Sequence, residues 1–481
     1  MPTVLNMQLE RSKSWGRAST VMNYVHRPTT ISGLREVFEL GQRMDLSVGM
    51  RGAGRSYGDA SFNGEQLLLD LSAMNRILDW DAEQGVITVE PGVTIAQLWQ
   101  HVISSGWWPP VVPGTMHATL GGCAGMNIHG KNHWQVGTLG DHILRFSNML
   151  PTGEVIQCNR EDNAEMFSAC IGAFGMLGCF TDLTLKLKRI HSGVLRVRSS
   201  AVTDLEHMLG VIDDCKDDVD YVVGWLDGLA SGRRLGRGQV HMATHLPPGE
   251  DHMSDKSMDV KSQQLPQRFL GTIPLTSLWR LTKPFANEFG LRLINSGKYW
   301  AARRTDGGEF EQSLTEFNFL LDFIPEWEKI CLPGGLVQYQ SFIVQERAAG
   351  TFRALLRRCR TYNVPPMLCV VKRHRPDDFL VSCGVDGFSL AMDFRVTRRN
   401  REHLVQLARE LDQIVLSAGG RFYLAKDSTL HPEAARSYLG DDTIQQLGAL
   451  KQRCDPEGIL QSNLSRRVLP ELHLPNGRNR A

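Results

Sequence analysis

Two glycine-rich segments constrain this chain more than any other feature: RGAGRSYGDAS at 51–61 and VPGTMHATLGGCAGMNIHGKNH at 112–133. Each places glycines beside small hydroxyl or amide residues. Because glycine lacks a Cβ and tolerates positive φ, such a segment lets main-chain N–H groups approach a ligand closely. Adjacent N–H groups in turns also form concavities that bind anions. Two such loops in one chain predict that a long diphosphate cofactor is held along its length.

The first segment alone is ambiguous. Its pattern Gly52-x-Gly54-x-x-x-Gly58 differs from the Rossmann fingerprint by one residue, and no apolar helix pattern follows it. Taken by itself, it fits a structural turn between strands equally well. The second segment changes this balance, because the glycines and threonines of 114–130 place several more donors near one another.

Composition excludes several classes of protein. The chain has 481 residues, 42% hydrophobic and 22% charged, which is typical of a globular protein with two or three domains. A net charge of +1 gives no global field that favours nucleic acid, so we expect no nucleic-acid partner. There is no apolar run of roughly 18–20 residues, and the N-terminus lacks the apolar core of a signal peptide. We therefore expect a cytoplasmic protein whose ten cysteines are reduced and mostly buried.

Residues 20–194 alternate strand-like and helix-like runs, which predicts an α+β domain. Hydrophobic periodicity and glycine stops place the elements as follows. Helices are predicted at 31–44, 95–106 and 163–178, and strands at 46–50, 67–74, 86–94 and 179–190. A loose arm, 1–19, precedes this domain.

Residues 195–430 differ in character and predict a second domain built on an antiparallel sheet. The polar stretch 246–267, rich in Pro, Ser and Asp, predicts a mobile loop and a candidate lid. An amphipathic helix is predicted at 401–418, stopped by Gly419 and Gly420. Residues 431–481 are expected to be helical, to return to the first domain, and to end in a disordered basic tail.

His129 and His133 form an H-x-x-x-H pair that invites a zinc hypothesis. The helix which that geometry requires would contain Gly130, and no glutamate is adjacent. We therefore expect no metal, and a structural hydrogen-bonding role for His133.

Two polar clusters are candidates for catalysis. In YLAKDS (423–428), a strand would place Tyr423 and Lys426 on opposite faces, whereas a strand that ends near 425 lets both reach one pocket. Lys426 is either a surface lysine paired with Asp427 or a group that acts as a base once burial lowers its pKa. Gln338 and Gln340 alternate on a strand and present two amides to one face. These amides suit sugar hydroxyls, although ordinary polar strand residues give the same pattern.

These motifs together resemble a known family. GRSYGD, PGT, GG and IHGKNH match the flavin-binding pattern of the vanillyl-alcohol-oxidase, or PCMH-type, FAD oxidoreductases, and in particular the decaprenylphosphoryl-β-D-ribose 2′-oxidase group. YLAKDS and VQYQ (337–340) resemble substrate-domain signatures of that group. The resemblance spans about residues 20–467, and the combination of motifs is far more specific than any one of them.

The resemblance implies that residues 20–194 bind FAD. Many relatives attach FAD covalently through a histidine of the first loop, where this chain has Arg55. Arginine is not a nucleophile, so the resemblance implies non-covalent FAD. The implied cofactor-binding residues are Arg51, Gly52, Ala53, Gly54, Arg55, Ser56, Tyr57, Gly58, Asp59, Gly114, Thr119, Leu120, Gly121, Gly122, Asn127, Ile128, His129, Cys179, Phe180 and Tyr423.

The resemblance also assigns the substrate side. Lys426 and Tyr423 are implied as catalytic, and the implied substrate-binding residues are Gln338, Gln340, Lys372, Trp225 and His129. Two positions depart from the family. Ala391 stands where the mycobacterial enzymes have a cysteine, and His374 stands where an aromatic apolar residue is more common. These departures leave the flavin chemistry intact but leave the exact lipid and sugar open.

The implied activity is oxidation of the 2′-hydroxyl of a polyprenyl-phosphoryl-β-D-ribofuranose. The keto product would be reduced to the arabinose form by a separate NAD(P)H-dependent short-chain reductase. A lipid-linked substrate further implies peripheral contact with the inner face of a membrane. Two alternatives remain: an FAD oxidase of a soluble sugar, alditol or aldonolactone, and a non-catalytic flavin-binding subunit.

Overall fold

The computed structural model describes residues 9–269 and 272–473. Its first sheet has the strand order β1-β2-β4-β3, with β1 antiparallel to β2 and the other neighbours parallel. Helix α1 packs on this sheet through Leu34, Val37 and Phe38. The elements are β1 (Leu9–Lys13), β2 (Thr20–His26), α1 (Ile31–Met44), β3 (Val48–Arg51) and β4 (Leu67–Asp70).

The prediction from sequence of a loose N-terminal arm is wrong for the part of the arm that the structure describes. Residues 9–13 form β1 and pair along their whole length with β2, and the Trp15 ring packs 4.6 Å from the ring of Tyr57. Backbone pairing and this aromatic contact fix the segment. Residues 1–8 of the predicted arm and 474–481 of the predicted tail lie outside the described residues.

A second, antiparallel sheet follows with the strand order β5-β6-β10-β8-β9, and β7 pairs separately with β11. The elements are β5 (Ile77–Asp81), β6 (Val86–Val89), α2 (Ile95–Val102), β7 (Trp107–Trp108), α3 (Leu120–Gly125), α4 (His133–Val136), β8 (Ile143–Met149), β9 (Val155–Asn159), α5 (Ala164–Cys170), β10 (Cys179–Lys186) and β11 (Lys188–Arg189).

Several predicted elements prove shorter than their hydrophobic patterns. The strand expected at 67–74 ends at Asp70, because the Asp70 carboxylate accepts from Ser72 N and starts a 3₁₀ turn. The strand expected at 86–94 ends at Val89, and the helix expected at 163–178 ends at Cys170. The local pattern marks burial and does not by itself define where an element ends.

The third sheet has eight antiparallel strands in the order β17-β12-β14-β13-β19-β20-β18-β21. The elements of this region are β12 (Val194–Val202), α6 (Leu205–Asp214), β13 (Tyr221–Leu226), β14 (Gly238–His245), α7 (Ser254–Ser257), β15 (Arg268–Phe269), β16 (Ile273–Pro274), α8 (Leu275–Thr282), α9 (Glu288–Arg304), β17 (Glu309–Ser313), α10 (Leu314–Asn318), β18 (Leu336–Val344), α11 (Gln345–Thr361), β19 (Leu368–His374), β20 (Gly387–Arg395), α12 (Arg401–Ser417) and β21 (Arg421–Phe422).

The two faces of this large sheet have different partners. Helices α6, α11 and α12 pack on one face. The other face meets the N-terminal region, where Val222 N donates to Lys131 O at 2.9 Å and α4 packs against β19. The sheet thus forms a wall opposite the glycine-rich loops, and the α+β class predicted from sequence is what the structure shows.

The described part of the C-terminal segment packs against the first sheet. It contains α13 (Pro432–Leu439), α14 (Asp441–Cys454) and α15 (Asn463–Val468). Val48 N donates to Ile459 O, and Gln461 N donates to Val48 O. The last helices therefore extend the core around β3, directly behind the first glycine-rich loop.

The stretch 246–267 is not the irregular loop that its composition predicts. It contains α7 and a 3₁₀ turn, and Asp251 accepts from the Ser192 and Ser257 hydroxyls at 2.6 Å each. Gln263 is buried and donates to Gly193 O at 2.7 Å. Polar side chains, which made the sequence resemble a free loop, instead tether it to the start of β12.

Candidate active site

Three segments distant in sequence meet at one place. A Cβ on Gly52 would lie 1.9 Å from Oγ1 of Thr119, so the first loop touches the second at a point only glycine allows. Tyr57 N donates to Ala425 O at 3.2 Å, and a Cβ on Gly58 would lie 1.9 Å from Asp427 O. The first loop therefore packs against both the second loop and the YLAKDS segment.

An arginine from the C-terminal segment forms ion pairs at this junction, the place where the two loops and the YLAKDS segment meet. Arg467 contacts Asp59 and Asp427, with nitrogen to oxygen distances of 2.7 Å to each carboxylate. These charge-assisted bonds raise the pKa of Arg467 above its usual range despite its burial. Asp427 therefore pairs with Arg467 rather than with Lys426, which removes the surface ion pair considered from sequence.

The junction fits a cofactor that carries phosphate or other acceptor oxygens. Within the described residues, three donor atoms are buried there without a hydrogen-bond partner: Nε of Arg55, Oγ1 of Thr119 and Oγ of Ser428. Arg51 adds a second, half-buried guanidinium beside Arg55, and partial burial lowers its pKa. Because an unpaired buried polar group is destabilising, these donors favour a bound partner that carries acceptor oxygens. The donor set thus matches the diphosphate predicted from sequence.

The second loop is held by a carboxylate that sequence analysis did not single out. Asp322 accepts from Thr115 Oγ1 at 2.8 Å and from Met116 N at 2.6 Å. Farther along, Asn127 adopts a φ of +40° and accepts from Gly140 N at 3.0 Å. These bonds fix the main chain around Gly114, Gly121 and Gly122 before any ligand binds.

The cysteines of this region are inert. Cys123 and Cys179 are fully buried, and burial raises the pKa of each thiol to about 12. Cys179 packs in the core of the first sheet, and Phe180 packs on Phe146 with ring centroids 4.8 Å apart. Only main-chain groups of 179 and 180 remain for the predicted contact with a cofactor, and that contact stays a prediction.

Three histidines cluster where the second loop meets the sheet. The ring centroid of His374 lies 4.9 Å from that of His129 and 4.6 Å from that of His133. Burial lowers the pKa of all three, that of His133 to about 3, so the cluster is neutral. His133 Nδ1 accepts from Arg375 N at 3.2 Å, which matches its predicted structural role. Across residues 9–269 and 272–473, no group of three or more side chains is arranged to hold a metal ion.

The sheet face above these loops is polar. The register places Gln338 opposite Asp393 and Gln340 opposite Ala391, so these four side chains share one face. Gln338 Nε2 donates to Asp393 Oδ1 at 2.6 Å, and Gln340 Nε2 lies 3.2 Å from His129 Nε2. The two predicted amides are therefore positioned from both sides, by the neighbouring strand and by the second loop.

His374 lies on this same face of the sheet. Its Nε2 lies 2.7 Å from the Ser389 hydroxyl, which also accepts from Gln340 Nε2 at 3.3 Å. A continuous series of hydrogen-bond contacts therefore joins His374, through Ser389 and Gln340, to His129. The histidine that departs from the family pattern thus supports a site residue and is itself fully buried.

Lys426 projects into the space between loop and sheet. The strand β21 ends at Phe422, and Lys426 N donates to Tyr423 O in a turn, so the alternating faces of a strand do not apply here. Its ammonium lies 3.9 Å from the centroid of the Tyr57 ring. Burial lowers the pKa of Lys426 well below that of a free lysine, while the Asp393 carboxylate opposes the shift.

Tyr423 lies beside the histidines. It is buried, its ring centroid is 5.0 Å from that of His129, and it lines a narrow cavity with Asn127 and Cys383. Burial raises the pKa of its phenol well above the usual value. Tyr423 therefore remains a protonated donor and is not a base at ordinary pH.

Further lysines make the site positive. The positive charge of Lys372 helps to lower the pKa values of His129, Lys131 and Lys426, and burial lowers that of Lys372 to about 8. Trp225 lies on the same sheet face, opposite Val370, and is half-buried. The Lys298 ammonium lies 4.2 Å from the centroid of its ring.

Two functional carboxylates and one arginine escaped sequence analysis. Asp393 follows Ala391 by two residues in a strand, so period-two alternation places it on the same face, and this signal was available. Asp322 and Arg467 lie in irregular or helical segments far from the motifs, and no local pattern marks them.

Comparison with known proteins fits this geometry. A family model described as an FAD binding domain matches residues 22–159. The chain is a flavoprotein oxidoreductase with a PCMH-type FAD-binding domain, and its cofactor is FAD.

Three relatives differ in how much of this chain they match. The chain is 27% identical over 463 residues to decaprenylphosphoryl-beta-D-ribose oxidase of Mycolicibacterium smegmatis, which covers 95% of this chain and 97% of that protein. It is 28% identical to L-gulonolactone oxidase of Mus musculus, over 34% of this chain and 36% of the relative. D-lactate dehydrogenase of Anaerostipes hadrus is 31% identical over 27% of this chain and 28% of the relative. The first similarity includes nearly all of both chains, whereas the others include about a third.

No helix in the described part of the chain is both long and apolar enough to cross a bilayer.

Proposed function

We propose that this protein oxidises a secondary alcohol of a sugar, the 2′-hydroxyl of a polyprenyl-phosphoryl-β-D-ribofuranose. The observation that carries the proposal is a base with lowered pKa, Lys426, held between Tyr57 of the cofactor loop and Asp393 of the polar sheet face. The product would be a 2′-ketone. A separate NAD(P)H-dependent reductase would then complete epimerisation to the arabinose form.

The extent of similarity favours this substrate over a soluble one. The relative named for decaprenylphosphoryl-ribose oxidation aligns over 95% of the chain, so its similarity includes the eight-stranded sheet. The L-gulonolactone oxidase similarity includes only 34% of the chain. A shared cofactor domain explains the second similarity without a shared substrate, because function resides in the site and not in the fold.

When bound, FAD supplies the two-electron acceptor for the carbinol hydrogen. Arg51, Arg55 and Thr119 would hold its diphosphate. The protein must then accept the hydroxyl proton. Lys426 suits this task, because burial lowers its pKa and makes the neutral amine accessible near neutral pH.

The groups around Lys426 set its protonation. Asp393 is buried, and burial raises its pKa, while Lys426 and the amide of Gln338 favour its charged form. Each of these two groups therefore favours the charged form of the other. Gln338 keeps Asp393 in place through the 2.6 Å hydrogen bond. Gln340 and His129 are proposed to orient the sugar hydroxyls from the opposite side.

The excess of lysines suits an anionic substrate. Lys372 lies close enough to Lys426 for its positive charge to lower the pKa of Lys426, whereas the Asp393 carboxylate raises it. With a pKa of about 8, Lys372 is mainly charged at neutral pH. A phosphodiester would satisfy this charge, whereas a neutral lactone would leave it unpaired. Trp225 is proposed to support the sugar or the linking phosphate.

Anaerobic flavin bleaching tests the proposal. The purified flavoprotein is mixed with polyprenyl-phosphoryl ribofuranose, with free ribose and aldonolactones, or with a polyprenyl phosphate that lacks the sugar. We expect loss of absorbance near the flavin maximum with the first compound alone. Bleaching by a soluble sugar or lactone would favour the oxidase alternative, and no bleaching by any compound would favour a non-catalytic flavin-binding subunit.

A further inference from the structure

Helix α9 has two faces of opposite character. Phe289, Leu293 and Trp300 are 78%, 61% and 62% exposed. At 3.6 residues per turn, these three positions fall within about 40° of one another on the helix circumference. Large apolar side chains exposed together on one helix face are unusual for a protein surface in water.

The opposite face of α9 is directed to the large sheet. Asn295 is buried and donates to Asp227 Oδ1 at 2.8 Å, and Tyr299 is buried as well. Lys298 lies about 180° from the exposed apolar face and places its ammonium over Trp225. The helix is thus fixed to the sheet by one face, which holds its apolar face outward.

The outward face is framed by positive charge. Arg303 and Arg304 lie within about 60° of its centre, on opposite sides, and Arg292, which forms an ion pair with Glu288, lies about 80° away. The stretch 268–304 contains seven lysines and arginines and one acidic residue, in a chain whose net charge is +1. Leu281 and Phe285, just before α9, add two apolar side chains that are more than half exposed. An apolar stripe between arginines is the pattern of a helix that lies in a membrane interface.

We propose that the face formed by Leu281, Phe285, Phe289, Leu293 and Trp300 binds the surface of an anionic lipid bilayer. The apolar side chains enter the boundary between headgroups and acyl chains, and the flanking arginines contact lipid phosphates. A second copy of this chain is a poorer occupant, because a two-fold interface would bring the same arginines against each other.

This surface gives the proposed function a route to its substrate, and in this respect the inference rests on that function. One face of α9 would touch the bilayer while Lys298, on the other, lies over the half-buried Trp225. A lipid-linked sugar phosphate could then pass from the bilayer to the polar sheet face while its prenyl chain stays in lipid. The tethered stretch 246–267, the lid candidate from sequence, is not part of this face.

Vesicle flotation of the full-length FAD-loaded protein, without substrate, tests the surface. The probes are vesicles of phosphatidylcholine alone and of phosphatidylcholine with phosphatidylglycerol. We expect the protein to float with the anionic vesicles and to bind neutral ones at least tenfold more weakly. A triple variant, Phe289→Ser, Leu293→Ser and Trp300→Ser, should lose at least tenfold in binding while it keeps its flavin.

The matched control replaces three exposed apolar residues elsewhere, Met44→Ser, Leu78→Ser and Leu144→Ser, which are 50%, 47% and 46% exposed. Its binding should equal that of the parent. A charge variant, Arg292→Gln, Arg303→Gln and Arg304→Gln, should lose binding to anionic vesicles and with it the dependence of binding on salt.

The proposal is overturned if the parent protein does not bind anionic vesicles, or if control and α9 variants lose binding equally. It is also overturned if sedimentation shows a dimer that the α9 triple variant dissociates, because the face would then belong to a second copy. These measurements contain no sugar substrate. Failure of vesicle binding would therefore leave the flavin-bleaching result intact, and a wrong substrate would leave vesicle binding intact.

Discussion

The two walls of the active site are built in different ways. The cofactor wall, residues 51–59 and 112–130, depends on glycines that let two loops touch. The substrate wall is one face of the eight-stranded sheet and presents side chains from β18, β19 and β20. Each loop of the cofactor wall is contiguous in sequence, while the substrate wall is assembled by strand register.

This difference determines how each wall tolerates change. A loop whose glycines make close contacts tolerates few substitutions at those glycines, but it tolerates many side chains at its other positions. A sheet face that binds through side chains keeps its fold when a side chain changes and alters its chemistry instead. Departures from the family pattern accordingly fall on the sheet, at Ala391 and His374, and not at the loop glycines.

The largest effect is expected at the point where the loops touch. Gly52→Ala places a Cβ 1.9 Å from Thr119 Oγ1, so the loops must separate, and we expect the protein to lose nearly all bound FAD. Flavin absorbance per mole of protein measures this. The double variant Gly52→Ala with Thr119→Ala removes the clashing oxygen and should regain part of the flavin.

Gly350→Ala is the matched control, because a Cβ there meets nothing within 4 Å on helix α11. It should keep its FAD and gain about 0.5–1 kcal/mol in stability to unfolding. If Gly52→Ala kept full flavin content, the contact between the loops would not matter for binding.

The next effect is expected at Lys426. Lys426→Met keeps most of the side-chain volume but removes the base, and we expect kcat to fall about 10²–10⁴-fold with FAD content unchanged. Flavin reduction by the lipid-linked substrate, followed by stopped flow, measures the loss. Lys256→Met, on the exposed surface of α7, should behave as the parent. If Lys426→Met turned over at the parental rate, Lys426 would not be the base.

A smaller effect is expected in the pH profile. Asp393 raises the pKa of Lys426, so Asp393→Asn should lower it and make the neutral amine available at lower pH. The acidic limb of the kcat profile should therefore move to lower pH, by about one unit. Asparagine Oδ1 can still accept from Gln338, which preserves the local geometry. A shift to higher pH, or none, would contradict the assignment of Lys426 as the base.

The last two predictions, one for each wall, are that a covalent bond will not be found. On the cofactor wall, Arg55 occupies the position of the linking histidine, and the pKa of the Cys123 and Cys179 thiols is raised to about 12. Acid precipitation should therefore leave all flavin in the supernatant. Flavin that remains in the pellet would show a covalent bond that this structure does not explain.

On the substrate wall, Ala391 offers no thiol. Inhibitors that form an adduct with the cysteine of the mycobacterial enzymes should leave the intact mass of this protein unchanged, because a thiolate is the required nucleophile. Ala391→Cys should restore the adduct, since position 391 lies on the same sheet face as Gln340. A mass increase in the parent that maps to 388–395 would show that the correspondence with that cysteine is wrong.

The sequence was sufficient to predict features that depend on consecutive residues. Helix α1 at 31–44 and the loops around Gly52 and Gly121 follow from periodicity and from the backbone freedom of glycine. Short-range rules also placed Gln338 and Gln340 on one face. They failed for β1, whose five residues lack a distinctive pattern and form a strand only because β2 lies beside them.

The sequence by itself determined the two glycine-rich loops, because the backbone freedom of glycine acts within a few residues. The tertiary structure decided the rest: that Asp393 and Lys426 face one another, that Arg467 joins Asp59 to Asp427, and that α9 presents Phe289 and Trp300 outward. These relations depend on strand register and chain return over hundreds of residues. Burial, which sets the pKa of Lys426, exists only once those distant segments have packed together.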